Sequence, residues 1–149
     1  PAAGEVPRVA PPRAGSAAEA ATAVDASGLP SLVQTALALR GIPYRAGGST
    51  PDGFDCSGFT QWVFAQHGVR LPRETQEQFH AGVPVAPGQQ RPGDLVFYRT
   101  GGGSVSHVGI LLGDGSFVHA PSSRGVVRIE PMALTYWQRR FVGFRRMID

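Results

Sequence analysis

The stretch Gly53-Phe54-Asp55-Cys56-Ser57-Gly58-Phe59 contains the only cysteine of this 149-residue chain. Asp55 suits the N-cap of a helix, which places the Cys56 thiol in the first helical turn. At that position, unpaired backbone N–H groups and aligned peptide dipoles favour the thiolate, so we expect a lowered pKa for Cys56. The stretch therefore predicts a loop-to-helix turn that presents a nucleophile.

Two histidines downstream, His107 and His119, lie in segments with the composition of strands. Alternation along residues 105–112 puts His107 on one face of its strand. The turn Gly113-Asp114-Gly115 then reverses the chain and brings His119 level with that strand. We expect the two rings to share a face, with His119 orienting His107 and Cys56 completing a Cys–His–His arrangement.

A zinc site made of Cys56, His107 and His119 is the alternative interpretation of the same residues. Structural zinc usually draws its ligands from closely spaced pairs, and the one short spacing here runs between two strands. The glycines at 47–48 and 101–103 are not followed by the Lys-Ser/Thr of a phosphate-binding loop. The nucleophile is the favoured interpretation, and we expect neither a metal nor a cofactor.

Helical patterns come first in the chain and strand patterns follow, which is typical of the α+β class. In the first helix, Ser31 and Gln34 fit a capping box and Gly41 a stop. The predicted helices are 31–40, 55–68, 71–79 and a short one at 131–137. The predicted strands are 83–86, 95–98, 107–112, 117–119, 126–129 and 141–147. We expect the helices at the N-terminal end to pack on an antiparallel sheet of about five to six strands.

Composition limits the remaining possibilities. The chain is 42% hydrophobic, enough for one core, and no apolar run approaches the ~18 residues that span a bilayer. A single cysteine excludes an internal disulfide. The net charge is +3, and we expect the clustered Arg139, Arg140, Arg145 and Arg146 to be solvated rather than to bind nucleic acid. A monomer is the default expectation.

Residues 1–28 contain no Leu, Ile, Phe, Tyr, Trp or Met and are dominated by Ala and Pro. Such a segment buries too little apolar area to offset the entropy of ordering it, so we expect a flexible tether followed by one domain at 29–149. The chain begins at Pro1 rather than Met, which suggests that an upstream segment has been removed. A secretory signal or lipoprotein leader there would export the protein and could tether it to a membrane.

Taken together, these motifs resemble those of the NlpC-type cell-wall cysteine peptidases, a papain-like family. The resemblance runs from about Leu29 to the C-terminus. The segments that carry it are Pro43-Tyr44-Arg45, Gly47-Gly48, Gly53 to Phe59, Leu71-Pro72-Arg73, Gly93-Asp94-Leu95-Val96-Phe97, His107-Val108-Gly109-Ile110 and Phe117-Val118-His119-Ala120. It implies a papain-like fold.

The resemblance also implies roles for individual residues. Cys56 would be the nucleophile, His107 the general base and then acid, and His119 the orienting third residue. The Tyr44 hydroxyl would help to hold the oxyanion. The side chains of Asp55 and Ser57 would contact the amino end of the substrate, and Arg73 would have a supporting role.

The implied activity is hydrolysis of peptidoglycan stem peptides between D-γ-glutamate and the following diamino acid, by an enzyme of the periplasm or cell envelope. Two other functions use the same scaffold. One is a non-catalytic wall-binding or regulatory protein, which would have no need for Cys56, His107, His119 and Tyr44 together. The other is a thiol amidase or acyltransferase with a different acyl group.

Overall fold

Six antiparallel strands form the central sheet, in the order β3-β8-β4-β5-β6-β7. The structure, a computed structural model, describes residues 28–122 and 125–148. Its strands are β1 (Ser49–Thr50), β2 (Gly53–Phe54), β3 (Val83–Val85), β4 (Leu95–Tyr98), β5 (His107–Leu111), β6 (Ser116–His119), β7 (Arg128–Pro131) and β8 (Phe141–Arg146). β1 and β2 form a separate two-stranded hairpin.

Four helices accompany the sheet within the described residues: α1 (Ser31–Leu37), α2 (Cys56–Ala65), α3 (Thr75–Phe79) and α4 (Thr135–Gln138). Three of them precede the large sheet in sequence, so the predicted α+β class and the predicted antiparallel sheet are confirmed. None of these helices has both the length and the apolar character needed to cross a membrane.

The two faces of the sheet pack against different cores. On β5, Val108 and Ile110 join α1 and α2 in the larger core, whereas Leu111 belongs to a smaller cluster with Phe117 and Trp137 on the opposite face. Side chains of a strand alternate between faces, so the predicted alternation from residue 105 to 112 is confirmed. His107 lies on the face of the smaller cluster, where its ring stacks on Trp137.

Several predicted boundaries were wrong. The capping box at α1 does not form: Pro30 occupies the N-cap, and the Gln34 amide donates to the Leu29 carbonyl instead. The helix ends at Leu37, before the turn that includes Gly41. The strand predicted at 126–129 runs from Arg128 to Pro131, and the β1–β2 hairpin lies where a loop was expected.

Two further expectations concern the ends of the chain. Arg146 is not solvated: it makes two hydrogen bonds to Asp94, at 2.9 and 2.8 Å, and its side chain is only 15% exposed. A carboxylate as buried as that of Asp94 requires such a partner.

The tether predicted at 1–28 lies outside the described residues except for Gly28.

Gln78 fastens α3 to the helix that begins at Cys56. Its side chain is fully buried, and its amide donates to the carbonyls of Ser57, at 3.1 Å, and Pro72, at 2.8 Å. Its carbonyl oxygen accepts from the Thr60 hydroxyl at 2.7 Å. One side chain therefore satisfies three buried polar groups that have moved out of water.

We expect Gln78→Leu to lower the free energy of unfolding by about 3 kcal/mol, because the apolar side chain removes the three hydrogen bonds that the buried Gln78 makes. Urea unfolding followed by circular dichroism measures the effect. Gln76→Leu is the matched control, since Gln76 lies on the same helix but is exposed. Equal losses in the two variants would contradict the role of Gln78.

Candidate active site

The turn that carries Cys56 is held by the side chain of Asp55. Its Oδ1 accepts from the backbone N–H of Gly58 at 2.7 Å, which is the predicted N-cap. Its Oδ2 forms an ion pair with Arg73 at 2.7 Å, and Arg73 also donates to the Ser57 hydroxyl at 2.9 Å. Arg73 thus ties together the two residues that flank the nucleophile.

Gly58 is required by a close backbone approach. The Gly48 carbonyl accepts from the Asp55 N–H at 2.9 Å, and a Cβ on Gly58 would overlap that carbonyl oxygen. The glycine of the Asp-Cys-Ser-Gly motif therefore lets the loop at Gly48 pack directly on the first turn of α2. This contact positions the helix start relative to the β1–β2 hairpin.

The Cys56 sulfur lies between α3 and the start of β5. Its Sγ is 3.5 Å from the Thr75 hydroxyl and 3.8 Å from the carbonyl oxygen of Ser106, the residue before His107. Cys56 is half-buried and lines a pocket of about 370 Å³ together with His107 and Tyr44. The structure thus brings the predicted nucleophile and base to one opening.

His119 lies directly behind His107. The His107 Nε2 and the His119 Nδ1 are 2.7 Å apart, and the rings meet edge to face. Ile110 pairs with Val118, so His119 approaches β5 at Gly109, where a Cβ would clash with Phe117 and crowd His119. Gly109 therefore makes room for the diagonal contact between the two histidines.

Glu130 and Trp137 complete the site and were missed from the sequence. The Glu130 Oε2 is 2.8 Å from the His119 Nε2 and accepts from the Arg128 Nε at 3.0 Å. Its Oε1 accepts from the Trp137 indole N–H at 3.0 Å. The predicted strand stopped at residue 129, and extending it by one residue would have put the Glu130 carboxylate on the face of His119.

Burial dominates the protonation of the site. Contrary to the expectation for a helix start, burial raises the pKa of Cys56, although hydrogen bonds from Thr75 and from backbone groups lower it. Burial, reinforced by His119, lowers the pKa of His107 to about 3. Burial likewise lowers the pKa of His119, against the pull of Glu130. A lone thiolate or a lone imidazolium is therefore disfavoured at rest.

The other predicted site residues divide into two groups. Tyr44 lines the pocket, and burial followed by the charge of Cys56 raises its hydroxyl pKa. The side chains of Asp55 and Ser57 instead contact Arg73, and neither is among the described residues that line the pocket. The predicted contact of these two with substrate stays a prediction.

Zinc binding conflicts with the geometry of His119, because both of its ring nitrogens are already engaged. The His107 Nε2 and the His119 Nδ1 face each other at hydrogen-bond distance, and the His119 Nε2 faces Glu130. A metal ligand must direct a free lone pair at the ion. Across residues 28–122 and 125–148, no three His, Cys, Asp or Glu side chains are grouped as they would be around a metal.

Comparison with known proteins identifies the family of the chain. Residues 41–146, which include every site residue described above, match the NlpC/P60 family. The chain belongs to the NlpC/P60 family. This confirms the resemblance drawn from the motifs around Cys56, His107 and His119.

Two curated proteins are similar to this chain in sequence. The chain is 46% identical over 111 residues to the murein DD-endopeptidase MepS/murein LD-carboxypeptidase of Escherichia coli K12, covering 74% of this chain and 58% of that protein. It is 38% identical over 120 residues to the gamma-DL-glutamyl hydrolase of Bacillus subtilis 168, covering 78% of this chain and 29% of that protein. The chain thus spans less than two thirds of either relative.

Solved structures of the NlpC/P60 family share the fold. A crystal structure of an NlpC/P60 family protein from Bacillus cereus superposes with a TM-score of 0.76 at 36% sequence identity, over 79% of this chain and 39% of that one. The predicted papain-like α+β architecture is therefore confirmed.

We expect Thr75→Val to shift the pH profile of Cys56 alkylation to higher pH. The hydroxyl hydrogen bond lowers the thiol pKa, so removing it raises that pKa and reduces the thiolate fraction at any pH below the midpoint. Loss of a charge-assisted hydrogen bond of this kind should slow the alkylation of Cys56 roughly tenfold at pH 7. Iodoacetamide labelling between pH 5 and 10, read by mass spectrometry, measures it. Thr75→Ser retains the hydroxyl, so its alkylation profile should match that of wild type. If the profile of Thr75→Val also coincided with that of wild type, the hydrogen bond between Thr75 and Cys56 would be contradicted.

We expect the free energy of unfolding to depend on pH through the Glu130 carboxylate. Its pKa falls from 4.5 to about 2, first because of the hydrogen bond from His119. A depressed pKa contributes stability that is present above pH 4.5 and is lost as the pH falls towards 2. We expect Glu130→Gln to cost about 2 kcal/mol at pH 6, with the difference from wild type shrinking by pH 2.5.

Urea unfolding at the two pH values checks this expectation. Glu77→Gln is the control, because Glu77 is an exposed acid on α3. If the free energy of unfolding of Glu130→Gln differs from that of wild type by the same amount at both pH values, the partners of Glu130 do not lower its pKa.

Proposed function

We propose that this protein is a cysteine endopeptidase that cleaves the stem peptides of peptidoglycan in the bacterial cell envelope, without a metal or cofactor. The observation that carries the proposal is the placement of Cys56 beside the start of β5, in one open pocket with His107, whose ring is hydrogen-bonded to His119. This is the arrangement of nucleophile, base and orienting group that thiol acyl transfer requires.

The first step is proton transfer from the Cys56 sulfur to His107. The His107 Nε2 is engaged by His119, so Nδ1 is the ring nitrogen that remains for the thiol. Burial disfavours a thiolate or an imidazolium alone, but transfer within the pair creates both charges together, and they stabilise each other. Proton transfer and nucleophilic attack on the substrate carbonyl are therefore closely coupled.

In the later steps the oxyanion is stabilised and His107 returns its proton. The backbone N–H of Cys56, at the start of α2, and the Tyr44 hydroxyl hold the oxyanion of the tetrahedral intermediate. His107 then donates its proton to the leaving amine, which leaves a thioester on Cys56. Water hydrolyses the thioester, with His107 again accepting a proton.

The bond between D-γ-glutamate and the diamino acid is the first candidate for cleavage. The name of the Bacillus subtilis relative, a gamma-DL-glutamyl hydrolase, supports it. Arg128 lines the pocket and brings a guanidinium to bind one of the carboxylates of the anionic stem peptide.

The D-alanyl crosslink to the diamino acid of a neighbouring stem is the second candidate. The name of the Escherichia coli relative, a murein DD-endopeptidase, favours it. The contacts of Arg73 favour it as well, because Arg73 occupies the Asp55 and Ser57 side chains that would otherwise receive a free amino end. A crosslink within the wall is cut without such an end.

We expect Cys56→Ala to abolish the cleavage of muropeptides, with a loss of at least about 1,000-fold in kcat, because no other group in the pocket can form the thioester. The substrates are a linear stem peptide that contains the D-γ-glutamyl bond and a crosslinked dimer that contains the D-alanyl bond. Mass spectrometry of the products identifies the bond that is cut.

Three outcomes would redirect the proposal. Wild-type protein that binds muropeptides but releases no product would support a wall-binding protein. Cleavage at the amide between sugar and alanine would support an amidase. Activity that survives in Cys56→Ala would exclude the cysteine mechanism altogether.

A further inference from the structure

Glu130 ends a line of polar groups that runs back from the base. It lies on β7, beside the strand that carries His119, and its side chain is 16% exposed. Three donors converge on its carboxylate: the His119 ring and Arg128 on Oε2, and Trp137 on Oε1. The proposed mechanism assigns this carboxylate no role.

The partners of Glu130 determine where the proton of His119 lies. An indole N–H and a guanidinium can only donate, so the carboxylate is engaged as an acceptor on both oxygens. Hydrogen bonds from His119, Trp137 and Arg128 hold the pKa of Glu130 at about 2, so it is ionised at neutral pH. The His119 Nε2 must therefore carry a hydrogen that it donates to Glu130.

The position of the hydrogen on His119 in turn determines the position of the hydrogen on His107. His119 is fully buried, and burial keeps its ring neutral, so its second nitrogen, Nδ1, has no hydrogen. That bare Nδ1 faces the His107 Nε2 at 2.7 Å, and the bond between them requires the hydrogen to lie on His107. A neutral His107 with its hydrogen on Nε2 has a free lone pair on Nδ1.

Trp137 keeps both ends of this line in place. Its indole ring stacks on the His107 ring with the centroids 5.5 Å apart and the planes 20° apart, while its N–H donates to Glu130. The rotation of the base and the position of the carboxylate are therefore fixed by one buried side chain, which is only 6% exposed.

We propose that Glu130 is a positioning residue which, acting through His119, holds His107 in the tautomer whose Nδ1 can accept the Cys56 proton. When that proton arrives, the imidazolium donates from Nε2 to His119, and the negative charge of Glu130 at the far end stabilises the positive ring. One proton leaves the sulfur and joins Nδ1, and no other bond changes in this step. The role rests on the proposed cysteine chemistry.

Glu130→Gln is the informative variant, because it keeps the shape and replaces one acceptor by an NH₂ donor. If the NH₂ group faces Trp137, it meets another donor. If it faces His119, it forces the hydrogen of His119 onto Nδ1 and that of His107 onto Nδ1 as well. In that second tautomer His107 cannot accept a proton from Cys56.

We expect Glu130→Gln to lower kcat on muropeptides by about 100-fold with KM changed less than threefold, and Glu130→Asp to recover part of the loss. Glu77→Gln makes the same change of charge at an exposed site and should retain wild-type kinetics. A purely structural role would lower the folded fraction but leave kcat per folded molecule unchanged, and that result would overturn the proposal.

A second measurement does not depend on peptidase activity. Long-range ¹H–¹⁵N correlation of the histidine rings in the wild-type protein should show His107 with its hydrogen on Nε2, and Glu130→Gln should move it to Nδ1. The charged groups that act on this pair are Glu130 and Arg128. The titratable Tyr98 also faces it, with its ring centroid 6.5 Å from that of His107. A wild-type His107 with its hydrogen on Nδ1 would overturn the proposal, even if the variant fails to fold.

The two measurements separate this inference from the proposed function. Wild-type protein with the expected tautomer but no cleavage of any muropeptide would contradict the peptidase and leave the role of Glu130 intact. Active wild-type protein with an unaffected Glu130→Gln variant would contradict only the role of Glu130.

Discussion

The hydrogen bond between His107 and His119 is the interaction on which the rest of the site depends. Both rings are buried, so each of their nitrogens must find a partner or lose the free energy of its hydration. The 2.7 Å contact satisfies one nitrogen of each ring. It leaves one nitrogen of His119 for Glu130, and one nitrogen of His107 for the pocket that contains Cys56.

This contact also explains features that carry no chemistry themselves. A Cβ on Gly109 would clash with Phe117 and crowd His119, so the glycine leaves room for His119 beside β5, and Trp137 is buried against the face of His107. On the other side of the pocket, Asp55, Arg73 and Gln78 hold the first turn of α2 where the sulfur meets the start of β5. Two separately stabilised frameworks thus meet at one pocket, which brings together Cys56 and His107, the proposed nucleophile and base.

The elements that sequence patterns predicted best are those with strong local signals. Strand β4 was predicted with its bounds at residues 95 and 98, because an apolar run between turn residues permits little else. The cap at Asp55 formed because its carboxylate reaches the N–H of Gly58 three residues away. Strand β7 was displaced by two residues, since its position is determined by pairing with β6 rather than by its own composition.

The sequence by itself predicted the family and the helix-then-sheet order, and it singled out Cys56, His107 and His119 as the candidate catalytic residues, because spacing and turn signals are local properties. Only the tertiary structure decided that Glu130 stands behind His119, since that contact joins two strands diagonally and depends on their register. It also decided that burial raises the pKa of Cys56, against the helix-start effect that the local sequence predicts. Desolvation is set by everything that packs around a group, and no stretch of neighbouring residues records it.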